Sequence, residues 1–486
     1  MTLKNQVSRM DRAQKALLVI FLISLPLVNP WVRGDGVGYY AYARAMLIEG
    51  RFNFEKDWQR ANQSFQMYRI GPDHKPVQSD YTATGHLENH FSVGPAILWA
   101  PFLIVTHLSV LLYDRLGGHI AADGFSRPYL VTMATATALY GFLALWISFC
   151  LARKYVAERW AFLATLGIWF ASSLPVYMYF NPSWAHAQSA FMVALFLWYW
   201  DRTRIARTWQ QWLILGATGG LMIDVYYISG VVLLLPPLDS LTNYWSARKA
   251  KDEGPAKELI LGNVVFLMAV VAAFLPTIVT KKIIFGSYFD MGYTERWFWA
   301  SPAILRVCFS ADHGLFSWTP IVLLAVVGLF FLGKYDRRLA VYTLTVFAAY
   351  LYAIGCYENW HGLASFGNRF FISLTSVFVL GLAAFFDFLA RSWQERRATI
   401  ISSTATYALI VWNFGLVFQW GMHLIPARGP VSWRQVAYNQ FRVVPVEGIH
   451  EINLYLTRRH ELMIQIENTD VMQLKKQGAD PSGVHK

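Results

Sequence analysis

The 486-residue chain is 55% hydrophobic and 16% aromatic but only 15% charged, with a mean hydropathy of +0.33. Its apolar runs are too long and too many for soluble cores, which excludes a large soluble enzyme and indicates a polytopic membrane protein. The formal charge of +12 is scattered through short loops between those runs, so nucleic acid is excluded as a partner and the lipid bilayer, with its anionic headgroups, is the expected one.

Lys4, Arg9, Arg12 and Lys15 precede the first apolar run, residues 16–29. The excess of positive charge places this end in the cytoplasm, and the run reads as a retained anchor because no small-residue cleavage site follows it. Just beyond comes Gly34-Asp35-Gly36-Val37-Gly38-Tyr39-Tyr40. This segment sets a carboxylate at the outer mouth of a membrane helix, among glycines that allow close backbone approach. Asp35 is the first candidate for chemistry, as a base or a metal ligand.

The first outer region is expected to cover residues 30–128 and holds Arg44, Asp57, Asp80 and His90 among its polar groups. Within it, residues 93–112 are hydrophobic enough to cross. A crossing there would export Arg153 and the basic clusters that follow, so the segment is read as a helix in or dipping into the outer leaflet, interrupted by Pro95 and Pro101. His90 lies at its entrance.

Further spans are predicted to begin near residues 129, 160 and 186. Residues 211–238 lie between two basic clusters that both belong inside. They are too long for one short span and too short for two full ones, which predicts a hairpin of short helices with Asp224, Tyr226 and Tyr227 at a buried tip. Such broken helices persist in a membrane only against protein or a wet cavity.

Later spans are predicted to begin near residues 258, 317, 339, 366 and 399. The map has about eleven crossings and leaves residues 421–486 outside as a small appendage that could pack over the first outer region. The late outer loops carry Lys281, Lys282, Arg306, His313, Glu358, His361 and Arg369. Arg369, in the first turn of a membrane helix, must snorkel to headgroups or bind an anion, and phosphate is the natural one. Cys150, Cys308 and Cys356 have no metal-ligand spacing and are too few for a disulfide framework. The tryptophan-rich stretches 198–200, 297–299 and 412–420 are read as interfacial belts.

Asp35 with Tyr39, Tyr40 and Tyr42, the entry from His90 to Pro101, Asp312-His313-Gly314-Leu315-Phe316-Ser317-Trp318-Thr319-Pro320 and Ser365-Phe366-Gly367-Asn368-Arg369-Phe370 together resemble the bacterial polytopic glycosyltransferases of the GT-C superfamily. That group includes protein mannosyltransferases and transferases acting on lipid A. The resemblance covers about residues 10–420 and implies a GT-C-like all-α membrane domain in a bacterial cytoplasmic membrane.

It also implies sugar transfer from a polyprenyl-phosphate donor to a glycan, lipid or protein acceptor on the outer face. Asp35 and His90 would then be catalytic. Tyr39, Tyr40, Arg44, Asp224, Lys281, Arg306, His313, Glu358, His361 and Arg369 would bind substrate. Many members carry paired acids after the first helix, whereas this chain has one, so a second acid from Asp57 or Asp80 and the need for a divalent metal stay open. A transporter or flippase of a lipid-linked or small polar molecule is the alternative, because it too would use broken helices and an acid such as Asp224.

Overall fold

The computed structural model describes residues 10–249 and 253–476. Among them extended chain forms only isolated bridges, such as Ile70 with Pro76, and no sheet. The helices of ten residues or more begin with α1 (Arg12–Ser24), α2 (Asp35–Arg44), α3 (Gly94–Arg115), α4 (Arg127–Ala152), α5 (Glu158–Phe170) and α6 (His186–Thr203). They continue as α7 (Trp209–Val225), α8 (Leu235–Lys249), α9 (Glu253–Phe285), α10 (Pro320–Leu332) and α11 (Arg337–Cys356). The last are α12 (Thr375–Ser392), α13 (Glu395–Gly421), α14 (Trp433–Arg442), α15 (Val444–Thr457) and α16 (Arg459–Lys476).

Six segments are long and apolar enough to cross a membrane: α3, α4, Lys257–Phe285 of α9, α11, Arg369–Ser392 including α12, and α13. The chain is therefore a polytopic all-α membrane protein, with six such segments among the described residues where about eleven crossings were expected. Part of the difference lies in length. Helices α1, α5 and α10 have 13 residues each, about 20 Å of helix against a hydrocarbon core of about 30 Å.

The segment expected to be interrupted by prolines is one continuous helix, α3. Pro95 lies in its first turn, where a missing N–H costs nothing, and Pro101 is carried inside it. The helix is packed lengthwise and antiparallel along the first half of α4. Leu98 O accepts from Tyr140 Oη at 2.8 Å, Trp99 Nε1 donates to Thr137 at 2.9 Å, and His107 meets Tyr129 at 2.7 Å.

The predicted hairpin is present. Helix α7 stops at Val225, Tyr226 is extended, and the chain returns through a 3-10 turn, Tyr227–Leu234, into α8. Arg207 and Asp239, 3.4 Å apart, join its two open ends, and Asp224 is fully buried at the tip.

Small residues let the spans approach closely. A Cβ on Gly216 or Gly220 of α7 would stand 2.4 or 2.3 Å from a carbonyl of α9, and one on Gly381 of α12 would stand 2.1 Å from Ala325 O of α10. The loops predicted to be cytoplasmic are joined at one end of the bundle by ion pairs. Arg153 meets Asp11, Lys154 meets Asp201 at 2.7 Å, Arg204 meets Asp336, and Arg159 meets Glu395. Trp200, expected in an interfacial belt, is instead fully buried with Arg204 over its ring.

At the opposite end, α16 packs against the first outer region and α15 against the chain that follows α1. Glu467 accepts from Asn62 at 3.0 Å and from the Ser64 amide at 2.6 Å. Tyr455 Oη donates to Leu27 O at 2.7 Å.

Candidate active site at the mouth of the bundle

Asp35 is the first residue of α2, where a carboxylate complements the positive end of the helix. Each glycine around it has a separate steric reason. Gly34 has φ +52°, a left-handed backbone that side chains disfavour. A Cβ on Gly36 would fall 1.9 Å from Ser183 Oγ, and one on Gly38 would fall 2.1 Å from the Phe91 ring. The sequence therefore seats Asp35 directly on the Ser183–Trp184 turn.

Arg369 comes from the far end of the chain to meet it. Its Nη1 lies 2.8 Å from Asp35 Oδ2, with the arginine side chain 11% exposed and the aspartate 32%. The guanidinium stacks 4.4 Å over Trp184, whose Nε1 is fixed by Arg33 O at 2.9 Å. Neither Nη1 nor Nε of Arg369 has a well-aligned hydrogen-bond acceptor. The cation is thus held in place by Asp35 and Trp184 while Nε keeps a buried donor unbonded, which suits it to receive an oxyanion when the pair parts.

Aromatic groups surround the pair. The charges of Asp35 and Arg369 both act on the phenols of Tyr39, Tyr226 and Tyr293. Tyr39 packs on Phe91 at 4.6 Å, and His90 stands between Phe91 at 4.2 Å and Tyr293 at 4.9 Å. His186 begins α6 with its ring 4.7 Å from Tyr177 and 5.1 Å from Tyr226.

His313 and His361 form a flank of the site. His313 is fully buried, with its ring 4.7 Å from Trp318. Burial, with His361 and Arg369 nearby, pushes its pKa down to about 3, so the ring is neutral at pH 7. Burial likewise lowers His361, against the pull of Asp312. A loop of the appendage closes over this flank: Val431 N donates to Ala311 O at 3.3 Å, and the charge of Arg428 acts on His361 while Asp35 acts on Arg428.

Other predicted site residues have structural partners. Arg44 is buried and bonds both oxygens of Asp57, Glu49 at 2.7 Å and Asn53 O at 2.9 Å. This network engages both oxygens of Asp57. Tyr40 Oη donates to Gly124 O at 2.7 Å. Lys281 is fully buried and donates to Asn89 O at 2.8 Å and Phe91 O at 2.9 Å, so it anchors the His90 loop from beneath.

Glu358 accepts from Arg296 N at 3.0 Å and pins two late loops together. Arg306 is exposed on a short helix, Ile304–Phe309. Asp224 accepts from Thr277 N at 3.2 Å and keeps its second oxygen buried and unpaired. Asp80, likewise, has one buried oxygen without a hydrogen bond. No group of three or more His, Cys, Asp and Glu that could hold a metal ion occurs among the described residues.

Sequence reasoning passed over Tyr293 and Arg428, which lie in loops without motif or periodicity. The Trp184 platform carried one signal, a tryptophan beside a histidine at a helix start.

What fold and site define together is a polytopic helical membrane protein with a charged, aromatic-lined mouth at one end. No family model and no curated protein matches the chain. Among solved structures it is distantly similar to ArnT from Cupriavidus metallidurans bound to undecaprenyl phosphate, at 16% identity and a TM-score of 0.43, over 97% of this chain and 75% of that one.

Proposed function

We propose that the protein is a membrane glycosyltransferase that moves a sugar from a polyprenyl-phosphate donor to an acceptor at the outer face. The observation that carries this reading is the Asp35–Arg369 pair on Trp184: an acid and an anion-binding cation held together at the mouth of a membrane bundle. In the reaction the acceptor hydroxyl oxygen bonds to the anomeric carbon as the bond from that carbon to the phosphate oxygen breaks. Asp35 takes the hydroxyl proton, and the departing phosphate keeps the electron pair and its negative charge. Arg369 stabilises that charge through the donors Asp35 leaves open, and phosphate arrival would draw the guanidinium away from the carboxylate at the moment a base is needed.

A transport reading draws on the unpaired oxygen of buried Asp224, but the polar groups that converge do so at the mouth. The deciding test is purified protein in lipid nanodiscs, titrated with polyprenyl phosphate. Saturable binding that Arg369→Ala abolishes supports the reading, and unchanged binding by that variant overturns it. A deletion strain should accumulate undecorated acceptor rather than a trapped donor.

A further inference from the structure

The appendage was expected to lie outside the membrane, yet its first helix packs deep along a span. Gln440 of α14 donates to Val411 O at 3.3 Å and accepts from Gln419 at 3.0 Å. Its amide also fills the notch at Gly415, where a Cβ would lie 2.1 Å away. Helix α13 has 27 residues, about 40 Å, and its first turn is taken up by Glu395, Arg396 and Arg397. With a hydrocarbon core of about 30 Å, only a few ångströms of α13 are left to project at the far end. Val411, ten residues before Gly421, is therefore about 15 Å below that end and inside the leaflet.

Helix α15 then runs to the chain that follows α1, where Tyr455 and Arg459, the first residue of α16, bond the carbonyls of Leu27, Pro26 and Val28. Its outward face carries apolar residues at helical spacing, interrupted by the exposed Asn453: Val446 is 75% exposed, Ile449 78%, Ile452 55% and Leu456 49%. Phe441, before the turn, is 73% exposed. Glu447 and Glu451 lie on a different face. The exposed side of α13, Tyr407 and Val411, continues this surface.

We propose that α14 and α15 form a re-entrant hairpin immersed in the lipid leaflet on the side of Asp35, with acyl chains covering the stripe of α15. An amphipathic helix at this depth binds lipid through the same apolar area that would otherwise be wetted.

The test places an environment-sensitive NBD label at Ile449→Cys and, for comparison, at His450→Cys, in nanodiscs containing doxyl-labelled phosphatidylcholine. Labelling of the unmutated chain sets the background from its own cysteines. Blue-shifted emission at position 449 that loses most of its intensity to the doxyl lipid, with position 450 less affected, is the expected result. Red, unquenched emission at 449 would show a water-facing stripe, and blue-shifted but unquenched emission would show a second copy of the chain covering it. Either overturns the proposal. If the labelled variants assemble poorly, hydrogen exchange of α15 in the unmodified chain, compared between nanodiscs and short-chain detergent, gives the same answer: no added protection in nanodiscs refutes immersion.

Discussion

Arg369 illustrates how a single side chain divides two explanations. If the guanidinium only reaches for headgroups, lysine should replace it without loss. If it holds two phosphate oxygens through its planar fork while resting on Trp184, Arg369→Lys should weaken binding of polyprenyl phosphate by tenfold or more, about 1.4 kcal/mol. Donor titration of the purified variants reads the difference. Asp35→Asn keeps size but removes proton acceptance, so transfer should fall by about a hundredfold or more with expression unchanged, and wild-type turnover would remove the mechanism. Gly36→Ala tests the seat itself. Its new Cβ has no room beside Ser183 Oγ, 1.9 Å away, so α2 must shift, at a cost of about 1–3 kcal/mol measured by thermal unfolding.

At the scale of the helices, close approach through small residues sets the bundle. Gly381→Val would push α12 off α10 at Ala325 O and is expected to lower thermal stability by a comparable amount, whereas Ala408→Val on the exposed side of α13 should change little. The hairpin of α7 and α8 was legible from the sequence because charge on both flanks and a length between one span and two leave few solutions. The continuity of α3 through Pro101 was not legible, since proline's penalty is local while the packing of Trp99 and Thr106 on α4 is a property of the assembled bundle. The surroundings of Arg44 were hidden for a related reason: a cation in an outer loop looks available until Asp57 and Glu49 are seen to surround it. Asp35 and Arg369 could each be singled out by position, but nothing local announced that they meet.

For the whole molecule, the positive-inside pattern predicts that reporters fused after Tyr113 and after Pro128 register outside and one after Lys154 registers inside. A cytoplasmic signal after Tyr113 would make α3 a full crossing. The appendage adds a pH test. Asp470 is pushed up by burial, but the contacts of His423 at 2.8 Å and Arg33 at 2.5 Å outweigh this and hold its pKa below the usual 3.8. A carboxylate depressed in the folded state contributes stability above its unfolded pKa and loses it as pH falls through the folded value. The contribution of Asp470 to the protease resistance of α16 should therefore be full and constant from neutrality down to about pH 4 and should decline below it, with Asp470→Asn removing that decline.

The Arg33–Asp470 contact joins residues 437 positions apart, and it fixes the order in which the protein can mature. Arg33 supplies the carbonyl that orients Trp184, so the platform beneath Arg369 is tied to a residue of α16 that is made after all of α1 to α15. A ribosome-bound intermediate that has already inserted α1 to α12 would hold the acid and the cation but lack the strap that fixes their neighbour. On the proposed reading, chains cut before Asp470 should therefore bind polyprenyl phosphate more weakly than the uncut chain, and Asp470→Ala should reproduce part of that loss.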